Sequence, residues 1–150
     1  MNPWEKKQLR SIFDPTTQGY WFSVIDLCAL LTDSSHKNAR GYWKRFKYKQ
    51  TCKQFQVVSV SHHLKLQSPN GRYYFTEVVD FTNLVRLVMT CPSPNANVYR
   101  LWFADMLFAG VSAAEIEKDL AQLGLEHAAE VGDKFKQGYV RLEVKKETIV

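Results

Sequence analysis

The sequence predicts a single compact α+β domain with two short β-hairpins and about five helices. A chain of 150 residues, 45% of them hydrophobic, suits one domain with its own buried core. Two turn-rich segments, DPTTQG and SPNG, each separate a pair of short runs that are rich in strand-forming residues. Elsewhere, capping residues precede apolar residues spaced three or four apart, which is typical of helices packed on one side.

The first hairpin is predicted within residues 11–22, and a helix follows it directly. Strand-forming residues at 11–13 and 20–22 flank the DPTTQG turn. Ser23 is a favourable N-cap, and Asp26 stands three residues later, a capping-box arrangement with Asp in place of Glu. Four apolar residues then recur at helical spacing and are expected to face the core: Val24, Leu27, Cys28 and Leu31.

A second helix is predicted over residues 36–50, which include the stretch RGYWKRFKYKQ with five basic and four aromatic residues. One face of its helical wheel is expected to anchor it to the core: Ala39, Tyr42, Trp43 and Phe46. Four bases line the outer side: Lys37, Arg40, Lys44 and Lys47. Arg45 and Lys49 lie on the other flank, and Tyr48 belongs to neither group and could be exposed.

The second hairpin is predicted around the SPNG turn at residues 68–71. Leu64 and Leu66 share one side of the incoming strand, because side chains alternate along a strand. The returning strand begins at residues 72–75. Lys65 and Arg72 give this hairpin a basic tip and edge.

Two further helices are predicted after the second hairpin. Thr82 is expected to cap the first of them. Ser93 as N-cap with Pro94 at the first helical position starts the next one. Residues 94–109 are apolar nearly all round, so that helix is expected to be central, and Gly110 ends it.

The C-terminal region is predicted to add helices and a tail. Ser112 and Glu115 form a capping box that opens a helix, for which Gly124 is the expected stop. Residues 125–137 could form one more helix. The weak alternation over residues 139–150 fits an edge strand or a loose terminus.

Basic residues are concentrated between residues 34 and 76, which hold nine bases and no acid, although the net charge is only +5. Such blocks often mark surfaces that bind polyanions. A basic helix followed by a two-stranded ribbon can contact a groove and the backbone of double-stranded DNA. The predicted DNA-binding residues are Lys37, Arg40, Lys44, Arg45, Lys47, Lys49, Lys65 and Arg72. Arg40 and Arg45 are the better candidates for contacting guanine, and the lysines for holding phosphates.

Two other interpretations of the basic helix remain open. It could be a solvated face without a ligand, although an ordinary exposed helix usually mixes charges of both signs. It could also dock on an acidic protein partner. A salt-dependent affinity for DNA would separate these interpretations.

Nothing in the sequence predicts an enzyme, so no catalytic residue, cofactor or metal site is assigned. The GxSxG, HExxH, P-loop and GxGxxG motifs are absent from the sequence. His62 and His63 are adjacent, so on a strand they would point to opposite faces and could not share a metal ion. Cys28, Cys52 and Cys91 form no CxxC pair, and buried thiols are expected. No apolar run reaches the ~20 residues of a membrane span, and the N-terminus lacks a signal-peptide core, so a cytoplasmic location is expected.

Several segments of the chain match one family pattern in order. The N-terminal matches are Phe22, Ser23, Val24, Asp26, Leu31, Thr32, Ser34, Arg40, Gly41, Tyr42, Trp43 and Lys44, of which the block at Arg40, Tyr42, Trp43 and Lys44 is the best matched. The later matches are TNLVRLV from Thr82, PSPNA from Pro92 and YRLWFA from Tyr99. These segments, which cover about residues 10–110, resemble the N-terminal domain of the Bro family, which occurs in phage antirepressors and baculovirus repeated-gene proteins.

This resemblance implies a mixed α/β DNA-binding domain of prophage or viral type at residues 1–110. Residues 111–150 match nothing in that family, and the sequence itself predicts that they form a helical extension packed on this domain or trailing from it. It implies a transcription regulator or antirepressor in a bacterial cell, or in a host cell if the source is viral. The implied partners are double-stranded DNA and, in the alternative, a phage repressor protein. The edge hairpin and the alternating tail would also allow a homodimer.

Overall fold

A β-sheet with helices packed on it forms the body of the computed structural model, which describes residues 2–52, 57–58, 61–131 and 144–149. In chain order the elements are β1 (Ser11–Asp14), β2 (Gly19–Ser23), α1 (Val24–Thr32), α2 (His36–Cys52), β3 (Ser61–Gln67), β4 (Tyr73–Asp80), α3 (Phe81–Thr90), a 3₁₀ turn (Pro94–Ala96), α4 (Asn97–Phe108), α5 (Ala113–Val131) and β5 (Val144–Ile149). This arrangement confirms the predicted α+β class, both hairpins and the number of helices.

The sheet is antiparallel throughout and has the strand order β1-β2-β4-β3-β5. The two predicted hairpins are joined at its centre, where Phe22 of β2 pairs with Val79 of β4. β5 pairs with the outer edge of β3, so of the two alternatives for the tail, an edge strand or a loose terminus, residues 144–149 form the edge strand. The remainder of the predicted tail, residues 139–143 and Val150, lies outside the described residues.

The sheet curls, so that one of its faces encloses a small apolar cluster. Ile12 of β1 is buried together with Leu64 and Leu66 of β3, although two strands separate β1 from β3 in the sheet. A hydrogen bond of 3.2 Å from the Nη1 atom of Arg10, the residue before β1, to the carbonyl of Gln67 also joins the start of β1 to the end of β3. The prediction that Leu64 and Leu66 share one side of the strand is therefore confirmed, and that side is buried.

The main core lies between the opposite face of the sheet and the helices. Phe22 and Val79 are fully buried there, in one cluster with apolar residues of α1, α2, α3, α4 and α5. All four α1 residues that were predicted to face the core are buried. Trp4, which precedes β1, packs edge-on against the ring of Tyr99 at a centroid distance of 4.6 Å. Burying one such side chain contributes about 1.5–3 kcal/mol.

Most of the predicted helix boundaries are confirmed by their hydrogen bonds. The hydroxyl oxygens of Ser23, Ser93 and Ser112 each accept a bond from a backbone N–H two or three residues later. Gly110 ends α4 with a φ of 85°. Its amide donates to the Leu107 carbonyl, and the next amide reaches the carbonyl five residues back, which is a Schellman motif.

Two predicted boundaries are wrong. The cap of α3 is Asp80 rather than Thr82, because the Asp80 carboxylate at the end of β4 accepts from the amide of Asn83 at 3.0 Å. Gly124 does not stop α5, which runs to Val131, so residues 125–131 continue this helix and 132–137 lie outside the described residues. Buried residues on both sides of Gly124 hold the helix to the core and offset the ~1 kcal/mol cost of an interior glycine.

The prediction that α4 is central is also wrong. Tyr99, Trp102 and Phe103 face the core on one side of α4. Its other side is solvent-exposed, with relative exposures of 54% for Val98, 63% for Leu101, 58% for Leu107 and 95% for Phe108. An apolar composition shows which residues could be buried, but the position of the helix at the margin of the fold decides which ones are.

Candidate nucleic-acid interface

The basic helix α2 is held in place by the aromatic face that the sequence predicts. Ser35 precedes it, and its hydroxyl oxygen accepts from the Asn38 amide at 3.2 Å. Trp43 is 3% exposed, and its ring stacks on that of Phe46 at a centroid distance of 5.5 Å. Tyr48 is exposed, at 72%. Packing against the core therefore fixes which side of α2 meets solvent.

Three cations, Lys37, Arg40 and Lys44, lie exposed along the outer side of α2. They are three and four residues apart, so successive members are neighbours on the helix surface. Among the residues that the structure describes, none of the three forms a salt bridge with a carboxylate. We call these three residues the cationic stripe.

Lys47 differs from the cationic stripe, although it was predicted to share its outward direction. Its ammonium lies 3.1 Å from the Glu77 carboxylate of β4 and 5.5 Å from the centre of the Trp43 ring. Glu77 is nearly buried and also accepts from the Ser61 hydroxyl at 2.8 Å. Lys47 therefore ties α2 to the sheet, and its charge is largely compensated.

A groove of about 460 Å³ separates α2 from the β3–β4 hairpin. Arg40, Lys44 and Lys47 line its helix side, and His63 and Phe75 line its sheet side. Glu77, at its base, is the one acidic residue among the described lining residues. An adjoining pocket of about 430 Å³, which extends towards the hairpin turn, shares Arg40 with this groove. The cationic stripe therefore borders a concave surface of predominantly positive charge.

The β3–β4 hairpin contributes exposed aromatic rings beside the groove. Tyr73, Tyr74 and Phe75 are 43%, 48% and 45% exposed. The Lys65 ammonium lies over the Phe75 ring at 5.5 Å, and Lys65 is partly buried. Arg72 is exposed next to the turn. Cations and aromatic rings thus lie close together on this hairpin, and Phe75 is the ring that lines the groove.

A buried network supports the floor of the groove. The Asp26 carboxylate has no solvent exposure and accepts from the Arg10 Nε atom at 2.8 Å and from the Arg10 amide at 2.9 Å. It also bonds to His36 Nε2 at 2.9 Å and accepts from Gln8 Nε2 at 3.2 Å. Because His36 is the first residue of α2 and Arg10 immediately precedes β1, the Asp26 carboxylate connects the first turn of α2 to the start of β1.

Electrostatics keep this buried carboxylate ionised. Burial by itself raises the pKa of Asp26, but the hydrogen bonds from His36 and Arg10 and the Arg10 charge outweigh burial, so the pKa lies below its ordinary value. The sequence predicted Asp26 only as a capping residue. The Ser23 half of that capping box is present, but the carboxylate turns to Arg10, 16 residues away, which no local sequence signal identifies.

Arg45 and Lys49, the remaining predicted DNA-binding residues, lie on the opposite flank of α2. They line a separate pocket of about 320 Å³ together with Tyr42 and Phe46. The eight predicted residues therefore divide three ways: Arg40, Lys44 and Lys47 line the groove, Lys37, Lys65 and Arg72 lie on the helix and hairpin that border it, and Arg45 and Lys49 line the other pocket. Periodicity had already separated this pair from the stripe.

Metal-binding and reactive side chains are not assembled in the part of the chain that the structure describes. No group of three His, Cys, Asp or Glu residues could hold a metal ion there. His62 contacts the Trp21 ring on one face of the sheet, whereas His63 lines the groove on the other. Cys28 and Cys91 are buried, and burial raises the pKa of the Cys28 thiol, which disfavours the reactive thiolate.

No family model matches this chain, and no curated protein or solved structure matches it significantly. None of the described helices is both long and apolar enough to cross a membrane. The resemblance to the Bro family therefore rests on sequence motifs. Among the residues that carry it, Phe22, Ser23 and Trp43 are buried, whereas Arg40 and Lys44 line the groove.

Proposed function

We propose that this protein is a DNA-binding module of a transcription regulator or antirepressor of prophage or viral type. The observation that carries the proposal is the cationic stripe, three exposed charges without a carboxylate partner among the described residues, beside a groove lined by bases and rings. The sequence motifs that resemble the Bro family support the same assignment. The stripe contains Arg40 and Lys44, which are exposed, line the groove and belong to the residues that carry the resemblance.

A polyanion would relieve an unfavourable arrangement in the free protein. Lys37 and Arg40 are three residues apart, and Arg40 and Lys44 are four apart, so each pair places like charges together. Such pairs each destabilise a helix by about 0.2–0.5 kcal/mol. A DNA backbone passing along the helix would replace this repulsion with attraction and release its own counterions.

The dimensions also suit a nucleic-acid backbone. With a rise of about 1.5 Å per residue, the seven-residue step from Lys37 to Lys44 spans roughly 10 Å. This length is comparable to the axial span of a few successive phosphates of one strand, which follow one another every ~3.4 Å along the axis of duplex DNA. Arg40, at the centre, could bind a phosphate or a guanine edge in a bidentate manner. Lys65 and Arg72 would extend the contact along the hairpin.

Fluorescence anisotropy with random duplex DNA, single-stranded DNA and RNA, measured at several salt concentrations, tests the proposal. Three to five phosphate contacts predict a log–log slope of about −3 to −4.5 on duplex DNA. The double variant Lys37→Ala/Lys44→Ala should flatten that slope by about 1.8, because each lost phosphate contact removes ~0.9. The matched control Lys7→Ala/Lys118→Ala removes two other exposed lysines and should leave the slope unchanged.

The same titration can reject the proposal. Equal losses in the two double variants would mean that net charge, rather than the stripe, governs binding. The absence of salt-dependent binding to any of the three nucleic acids would favour the alternative, an acidic protein partner such as a phage repressor. Circular dichroism of each variant confirms that the fold is intact.

A further inference from the structure

The pocket on the far flank of α2 has a different character from the groove. Tyr42, Arg45, Phe46 and Lys49 follow one another at helical spacing and form one of its walls. Thr90 at the end of α3, Pro92 just beyond it, and Val57 form the facing wall. The two walls are mainly apolar, and Arg45 and Lys49 are the two charged residues in them.

The neutral polar groups in this pocket are already engaged within the protein. The Gln50 side chain accepts from the amides of Val57 and Val58 at 2.9 Å each, and donates to the Val58 carbonyl at 3.1 Å. The Thr90 hydroxyl donates to a carbonyl of α3 at 2.8 Å. The Tyr42 hydroxyl donates to a buried thiol at 3.5 Å. A ligand would therefore find few neutral partners here.

The two cations are the polar groups that remain. Arg45 and Lys49 are both exposed, and within the described ranges neither forms a salt bridge. They are four residues apart on α2, so both can reach a single anionic group above the pocket. A guanidinium binds a carboxylate through two parallel hydrogen bonds, and an ammonium can add a third.

We propose that this pocket binds a small organic carboxylate with an aromatic or branched apolar body. A volume of about 320 Å³ lies at the lower end of the range for small-molecule sites, which combine apolar walls with a few polar anchors. A bare phosphate would leave the aromatic wall uncovered, and a neutral hydrocarbon would leave the two charges unused. This site does not depend on DNA binding, because it lies on the flank of α2 that faces away from the groove.

Two-dimensional amide NMR of the ¹⁵N-labelled chain can test the site with three carboxylates and their amides: phenylacetate, indole-3-acetate and 4-methylpentanoate. Each amide has nearly the shape of its acid but lacks the charge. At least one acid should shift amides around Arg45 and Thr90 in a saturable manner. Its amide should bind at least about tenfold more weakly, because a charge-assisted contact is lost.

Variants separate the pocket from general charge effects. Arg45→Ala/Lys49→Ala should abolish the preference for the acid over its amide, whereas Lys37→Ala/Lys44→Ala should preserve it. Acid and amide binding with equal affinity, no saturable shift with any of the three pairs, or undiminished binding to Arg45→Ala/Lys49→Ala would each overturn the proposal. Salt-dependent DNA binding is measured separately, so failure of this site leaves the nucleic-acid proposal standing.

Discussion

Replacing Asp26 with Asn removes the charge at the centre of the buried network while almost preserving its shape. The wild-type carboxylate accepts three hydrogen bonds from Arg10, which is itself 8% exposed. An Asn oxygen can still accept from Arg10, but the Asn amide group would place a second donor against the guanidinium or against His36. The variant therefore leaves a buried cation without its counter-charge.

The expected loss is about 3–5 kcal/mol in the free energy of unfolding, which is typical of removing one partner from a buried ion pair. A domain of this kind has a free energy of unfolding of about 5–15 kcal/mol, so the substitution would remove a large share of its stability. An apolar pair of similar volume, Arg10→Met with Asp26→Leu, should recover much of the loss, because it leaves no buried charge. The exposed residue Asp105 offers a matched control, and Asp105→Asn should change stability by less than about 0.5 kcal/mol.

The stability that Asp26→Asn loses should decrease as the pH is lowered. The pKa of Asp26 is lower in the folded protein than its ordinary value of 3.8, so the folded state binds fewer protons than the unfolded state near that pH. The carboxylate's contribution is then fully present above about pH 4 and declines as the pH falls through the folded pKa. The difference in the free energy of unfolding between wild type and Asp26→Asn should have its full size at neutral pH and become smaller in acid.

Urea unfolding followed by tryptophan fluorescence at neutral and acidic pH measures both effects. A loss below about 1 kcal/mol at pH 7 would show that the network is not an effective ion pair. A loss of the full size that stays constant into acid would contradict the lowered pKa of Asp26. Failure of the apolar pair to recover any stability would mean that hydrogen bonds to His36 and Gln8 matter more than the buried charge.

Three further substitutions test the packing of α4 and the stability of α2. Phe108→Ser on the exposed side of α4 should change the free energy of unfolding by less than about 0.5 kcal/mol, whereas Phe103→Ala on its buried side should cost about 3–5 kcal/mol. Similar losses from the two would mean that a partner covers the outer side of α4 in solution. Gly41→Ala in α2 should raise stability by about 0.5–1 kcal/mol in urea unfolding, because alanine favours the helix and the new Cβ would meet only the flexible end of Arg45, at 3.2 Å. A decrease would instead show that Arg45 is held rigidly over Gly41.

Much of the fold could be predicted because it depends on short-range chemistry. A Ser23 hydroxyl caps the helix that begins beside it, and Gly110 adopts the positive φ that terminates α4. Alternation in β3 and helical spacing in α2 indicate correctly which side chains are buried. The cationic stripe belongs to this predictable part, because three charges on one helical face follow from their spacing alone.

The errors arise where residues distant in sequence decide the outcome. Nothing near Gly124 indicates that buried residues lie on both sides of it in α5. Nothing in α4 indicates that its outer face is solvent-exposed in the part of the chain that the structure describes. Lys47 is not part of the stripe, because its ammonium pairs with Glu77, which lies opposite it on β4 and 30 residues later in the sequence. The bond between Asp26 and Arg10 likewise requires the strand and helix to be packed first.

The sequence by itself determined most of the elements, the inward faces of α1, α2 and β3, and the position of the basic helix, since caps and periodicity act over a few residues. Only the tertiary structure decided how the basic residues are divided: a stripe beside the groove, Lys47 paired with Glu77, and Arg45 and Lys49 on the far flank. The physical reason is that a charge is compensated or left free by whatever packing brings within a few ångströms, and most of those neighbours are remote along the chain.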